Sequence, residues 1–221
     1  MVAPLACLTG RLLSWSRRLG LLLSRTLYSR SPILTVPDGR MTLCSLIAAL
    51  TSDHALRENI KQLPQRFSQA LTCDWSAWSD SLASARAAFV IARGYGLGSA
   101  REIALKVAET MRLPASGYSA AEVRHGPLAA AGAQTPLLVL RQNDGSSGMV
   151  DALIADLRAR KLNVFSAGDP RGTLPWIGHD DPICDAIAMV LPAYAAIEQA
   201  ARDHGFDPDH PPYLSKITET L

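Results

Sequence analysis

Four cysteines are all that this 221-residue chain holds, and Cys7, Cys44, Cys73 and Cys184 stand too far apart to form a C-x-x-C pair. Neither a zinc ribbon nor a redox dithiol is supported, and buried reduced thiols are the simplest reading. No Cys/His cluster appears either, so no metal and no other cofactor is expected. No apolar stretch reaches the roughly 18 uninterrupted residues of a membrane-crossing helix, which argues against a transmembrane span. Basic residues are scarce where a nucleic-acid surface would need them: residues 41–221 carry 16 basic and 19 acidic side chains. Internal repeats and low-complexity tracts are also missing. What remains is the ordinary composition of a globular α/β protein.

Residues 1–40 are the exception. They carry six arginines against a single acid, Asp38, together with several serines. An organelle transit peptide has that composition. A secretory leader fits less well, because Arg11, Arg17 and Arg18 break the apolar run. A third reading is an upstream segment foreign to the fold that follows. The segment is left unassigned and is expected not to pack against the rest.

Beyond it, residues 41–74 read as a helical linker. Pro64 is expected to interrupt it, and Ser52 or Asp53 to cap a second helix bearing Leu56, Ile60 and Leu63 on one face. A helix over residues 75–85 leads into AAFVIA (87–92), a short apolar run of the kind found in buried parallel strands. Further strands are expected at 135–141 and 162–168, with helices at 101–113 and 149–161. Residues 184–205 read as a possible short strand followed by a long helix. Strands alternating with helices predict a parallel sheet covered on both faces, a three-layer α/β sandwich spanning residues 75–221 with a C-terminal tail.

The turn Gly94-Tyr95-Gly96-Leu97-Gly98-Ser99 joins the first strand to a helix, the setting of a dinucleotide fingerprint. Its spacing is G-x-G-x-G with Ser99 in the third glycine's place, and no acid ends a second strand about 20 residues on, as ribose recognition requires. What survives is a loop where backbone can approach a ligand and a helix start can face an anion, so Gly94, Gly96 and Ser99 are candidate substrate-binding residues. A tight strand-to-helix turn is the plainer alternative.

Two blocks follow in order: Ala104-Leu105-Lys106-Val107-Ala108-Glu109, then Ala120-Ala121-Glu122-Val123-Arg124-His125-Gly126-Pro127. The tail ends with Lys216 five residues from the last position. Together these resemble the sugar isomerase (SIS) family over residues 43–221: the second SIS domain of the isomerase half of glucosamine-6-phosphate synthase, and more closely the SIS-type glucosamine-6-phosphate deaminases. The resemblance implies that Glu109 moves a proton between C1 and C2 of the sugar. It implies that His125 assists ring opening, often from across a subunit interface, that Lys216 can form a Schiff base with the open-chain sugar, and that Lys106 lies beside the glutamate. It also implies a phosphorylated hexosamine or ketohexose as ligand, a homodimer and a cytoplasmic location, with no nucleic-acid or membrane partner.

The residue chemistry is compatible with those roles. Lys106 and Glu109 stand three apart on a predicted helix and share a face. Proton transfer beside a carbonyl needs a positioned carboxylate, and ring opening suits an imidazole. A desolvated lysine can activate a carbonyl as an imine. Each residue also has an ordinary structural role open to it: Glu109 and Lys106 as a helix ion pair, His125 as the end of a segment, Lys216 as a surface lysine.

Full members of the family carry two SIS domains, the first with a Ser/Thr-rich S-x-S-G-x-T block that grips phosphate. No such block occurs here, and Asp144-Gly145-Ser146-Ser147-Gly148 is out of pattern. The expectation is therefore a truncated C-terminal half acting in conversion of glucosamine-6-phosphate to fructose-6-phosphate and ammonia. Met1 cannot supply the synthase's N-terminal cysteine nucleophile, which favours the deaminase direction. A non-catalytic SIS module that binds a phosphorylated sugar, and an inactive fragment, are the alternatives.

Overall fold

The computed structural model describes residues 35–178 and 181–212. Cys7, His179, Lys216 and the leader-like segment before residue 35 lie outside the described residues. The chain divides between Pro64 and Gln65 into two compact units.

In the first unit, α1 (Thr35–Leu50) is followed by α2 (His54–Ala70), which crosses the division. Asp53 caps α2, its Oδ1 accepting from the Leu56 amide at 2.9 Å. The Arg57 guanidinium reaches back to the Ala48 and Ala49 carbonyls at 3.2 and 3.1 Å, satisfying acceptors that the end of α1 leaves open. Leu56, Ile60 and Leu63 are buried, as their spacing predicts. Pro64 does not interrupt α2. A proline removes one N–H donor from the helix ladder, a loss that a helix of 17 residues can carry when packing favours it.

The second unit is a four-stranded, all-parallel sheet in the order β2-β1-β3-β4. Its strands are β1 (Ala88–Ala92), β2 (Ala115–Ser119), β3 (Leu137–Leu140) and β4 (Val164–Ala167). The helices are α3 (Ser76–Leu82), α4 (Gly96–Met111), α5 (Ser147–Ala159), α6 (Pro182–Ala188) and α7 (Val190–Asp203). Alternation along the central strands sorts their side chains to two faces. Ala88, Val90, Ala92, Leu138 and Leu140 pack with α3, α4 and α7. Phe89, Ile91, Leu137 and Val139 pack with Val150, Leu153, Ile154 and Leu157 of α5. This is the three-layer sandwich expected from the sequence. Trp75 and Trp78, an edge-to-face pair with centroids 6.1 Å apart, are buried in the first face, and Trp75 Nε1 donates to the Pro175 carbonyl at 2.7 Å.

Three details differ from expectation. Strand β2 is not predicted by the sequence pattern, because ASGYS lacks an apolar run; its pairing with β1 makes it a strand. The segment from Pro182 is helix and not strand. Pro182 opens α6 and Asp181 Oδ1 accepts from the Ile183 and Cys184 amides, so the start is capped. Helix α4 begins at Gly96, inside the glycine-rich turn. The stretch Pro182–Asp203 is long and apolar enough to cross a membrane, but most of it is buried within the fold, as in a core helix. Among the described residues no disulfide joins the cysteines, and burial pushes the Cys73 thiol up from its ordinary value.

Close packing of α4 on β2 depends on Gly117, where an added Cβ would stand 2.5 Å from Arg101 Cα. Backbone cannot swing aside as a side chain can. Gly117→Ala is expected to cost about 1–3 kcal/mol through overpacking, read as a lower urea midpoint with an unchanged m-value. An unchanged midpoint would show that the helix is free to slide.

Candidate functional site

In a parallel sheet the loops that part at a reversal of strand order leave a crevice at the carboxyl edge. Here the chain leaves β1 toward β2 on one side and leaves β3 toward β4 on the other, so the crevice lies beyond Ala92 and Leu140. Gly94, with φ of +57°, and Gly96 line it from one side. Gln142, Asp144 and Ser146 meet them from the other. A Cβ on Gly94 would stand 2.7 Å from Asp144 Oδ2, and one on Gly96 would overlap the amide of buried Gln142. The glycines thus permit close approach of the β3–α5 loop. Asp144 in turn accepts from the Ser146 amide and hydroxyl at 2.8 and 2.6 Å, ahead of α5. Arg93 ties the ends of β1 and β2 together by donating to Ser119 Oγ at 2.8 Å. Ser99 is 2% exposed and donates to the Ala186 carbonyl at 2.5 Å, which joins α4 to α6.

A second group of side chains lies toward the other end of α4. Lys106 Nζ is 2.6 Å from Glu109 Oε2 and 3.9 Å from Glu102 Oε1. The three side chains are 10%, 22% and 14% exposed respectively. From α7, the Tyr194 hydroxyl donates to Glu102 Oε1 at 2.7 Å. The arrangement is a lysine flanked by two carboxylates, one in an ion pair and the other held by a phenol. Its shielding strengthens each interaction relative to water.

The structure unites Lys106 with Glu109, as their spacing predicts. It does not unite them with the glycine-rich turn. Glu109 stands 13 residues along α4 from Gly96, about 20 Å at 1.5 Å per residue. Nor does it place His125 with them through any hydrogen bond. His125 is exposed, in the turn after β2, and its neighbour Val123 packs on the α5 face of the sheet, whereas α4 covers the other face. Gly126 has φ of +128°, which favours glycine at the end of that turn. Lys216 lies outside the described residues. Among the described residues no group of three or more His, Cys, Asp or Glu side chains is placed to hold a metal ion.

Sequence reasoning missed Glu102 and Tyr194. Glu102 was within reach, since it stands four residues before Lys106 on the same helical face. Tyr194 was not, because 92 residues separate it from Glu102.

Comparison with known proteins bears on this geometry. The SIS domain model matches residues 81–166. The glutamine–fructose-6-phosphate aminotransferase (isomerizing) of Xylella fastidiosa strain 9a5c is 33% identical over 187 residues, covering 77% of this chain and 30% of that protein. The enzyme of the same name from Neisseria meningitidis serogroup B is 29% identical, covering 72% of this chain and 28% of the relative. The chain thus spans under a third of the length of these relatives. Among solved structures, one from Silicibacter pomeroyi DSS-3, described as a phosphosugar isomerase, superposes with a TM-score of 0.70 at 26% identity, covering 78% of this chain and 54% of the other. A glucosamine-6-phosphate deaminase from Thermotoga maritima superposes with a TM-score of 0.66 at 22% identity, covering 86% and 58%. The latter likeness speaks to the fold alone.

Proposed function

We propose a function from the premise that this chain carries an SIS domain and is homologous to the C-terminal isomerase half of the glutamine–fructose-6-phosphate aminotransferases. The chain acts on a phosphorylated amino sugar, converting glucosamine-6-phosphate and water to fructose-6-phosphate and ammonia, the water hydrolysing the C2 imine left by proton transfer. The observation that carries this reading is the shielded Lys106–Glu109 pair within the Ala104–Glu109 block. Glu109 is the base that takes the proton from the carbon beside the open-chain carbonyl and returns it to the neighbouring carbon. Lys106 holds that carboxylate in place. His125 acts in ring opening and Lys216 forms the imine.

The position of His125 supports a homodimer. The sheet stands between its turn and α4, so a second copy is the natural source of a histidine for the Glu109 site. Such a dimer is proposed to work in the cytoplasm, with no nucleic-acid or membrane partner and no cofactor.

The test is exchange chemistry. The chain, alone and joined to the first SIS domain of a relative, is incubated in D2O with glucosamine-6-phosphate or fructose-6-phosphate. Deuterium entering at C1 or C2 by NMR, with ammonia released from the amino sugar, is the expected result. Binding without exchange would replace this reading with that of a sugar-phosphate-binding module.

A further inference from the structure

We propose that Glu102, held by Tyr194, is a second seat for the Lys106 ammonium, to which that ammonium moves when Glu109 takes up a proton. The inference rests on the reading of Glu109 as a base and gives two further residues a positioning role in that site.

Lys106 has carboxylates on both sides: Glu109 three residues after it and Glu102 four residues before it. Both are within reach of one lysine side chain on a helical face. At 2.6 Å the contact with Glu109 is a hydrogen-bonded ion pair. At 3.9 Å Glu102 is about 1 Å beyond hydrogen-bonding range. Rotation of the long lysine side chain covers such a difference without moving backbone.

Shielding makes that difference matter. When the Glu109 carboxylate accepts the C–H proton, the open-chain amino sugar becomes an enolamine and Glu109 a neutral acid. The ammonium, on a side chain only 10% exposed, then loses the charge that balanced it. A shielded cation without a partner is costly. Glu102 offers the replacement charge, and return of the proton to the neighbouring carbon reverses the move.

Tyr194 decides where Glu102 waits. Its hydroxyl binds Oε1, the same oxygen that lies nearest Lys106 Nζ. While Glu109 is charged, that bond satisfies Glu102 and keeps it from drawing the lysine away. Tyr194 is 3% exposed and sits in the core helix α7, so the anchor is rigid.

The experiment reads the lysine directly. Crystal structures of the full chain are compared with those of Glu109→Gln and Tyr194→Phe, the amide standing for protonated Glu109. In Glu109→Gln, Nζ is expected to move to about 2.8 Å from Glu102 Oε1. In Tyr194→Phe, Glu102 is expected to close on Lys106 while Glu109 stays paired. A lysine that remains on the amide at position 109, or a Glu102 that stays put without its phenol, would overturn the proposal. Nitrogen-15 NMR of labelled lysine gives the same answer in solution. The Lys106 Nζ signal should shift in Glu109→Gln and shift again when Glu102→Gln is added; coincident signals in the single and double variants would refute the second seat. None of these measurements needs turnover. Failure of sugar exchange would therefore strike the reaction reading, and an immobile lysine would strike this one. Where the chain turns over sugar, Glu102→Gln should lower kcat about tenfold or more with KM unchanged, since the second seat is used only as Glu109 gains its proton.

Discussion

Replacing Glu109 by Gln is expected to lower sugar turnover by about a hundredfold or more while leaving KM within about twofold. The substitution keeps the size and shape of the side chain. It removes the ability to accept a proton. A base acts mainly in the transition state, so the loss falls on kcat and not on ground-state binding. The measurement is steady-state ammonia release, in the chain alone or joined to a first SIS domain. His125→Ala belongs in the same series. Its loss should shrink when open-chain substrate is supplied, because ring opening is bypassed. Turnover of Glu109→Gln within about twofold of the parent would show that α4 does not carry the proton transfer.

The largest effect on stability is expected at Arg66. Its guanidinium is 4% exposed and pairs with the fully buried Asp185 carboxylate at the start of α6. It also donates to the Ile177 carbonyl at 3.1 Å. Arg66 Nε is buried with no hydrogen-bond partner among the described residues, so the pair is not ideally solvated by them. Desolvation makes the net worth of such a pair small, but removing one member strands the other charge. Arg66→Met is therefore expected to cost about 3–5 kcal/mol, a fall in Tm of roughly 6–20 °C for a domain of this size. Arg66→Met combined with Asp185→Leu should recover most of that loss, because no charge is left unpaired. Calorimetry on the three variants decides the matter. A double variant no more stable than the single would mean that packing around these side chains, and not charge burial, sets their value.

Much of the sheet was legible because its central strands are short apolar runs. AFVIA and LLVL are buried on both faces and carry no polar alternation. Edge strand β2 was not legible, since Ser116, Gly117 and Ser119 resemble a turn until pairing with β1 is considered. The segment from Pro182 shows the opposite failure. An apolar run of four or five residues fits strand and helix alike. Asp181 and Pro182 were the capping signals that could have separated them.

The candidate site divides along the same line. Local spacing alone determined that Lys106 and Glu109 meet, because three residues on an α-helix place side chains over one another. It also determined the alternation of strand and helix, and hence a parallel sheet with two covered faces. Tertiary structure alone decided the rest. It spent Ser99 on a carbonyl of α6, packed Gly94 and Gly96 against Asp144 and Gln142, and put the turn of His125 on the sheet face opposite α4. It brought Tyr194 to Glu102 across 92 residues. Helical periodicity reaches only a turn or so along the chain, whereas the partner of a shielded charge is chosen by how layers stack, and that choice is made by packing among residues distant in sequence.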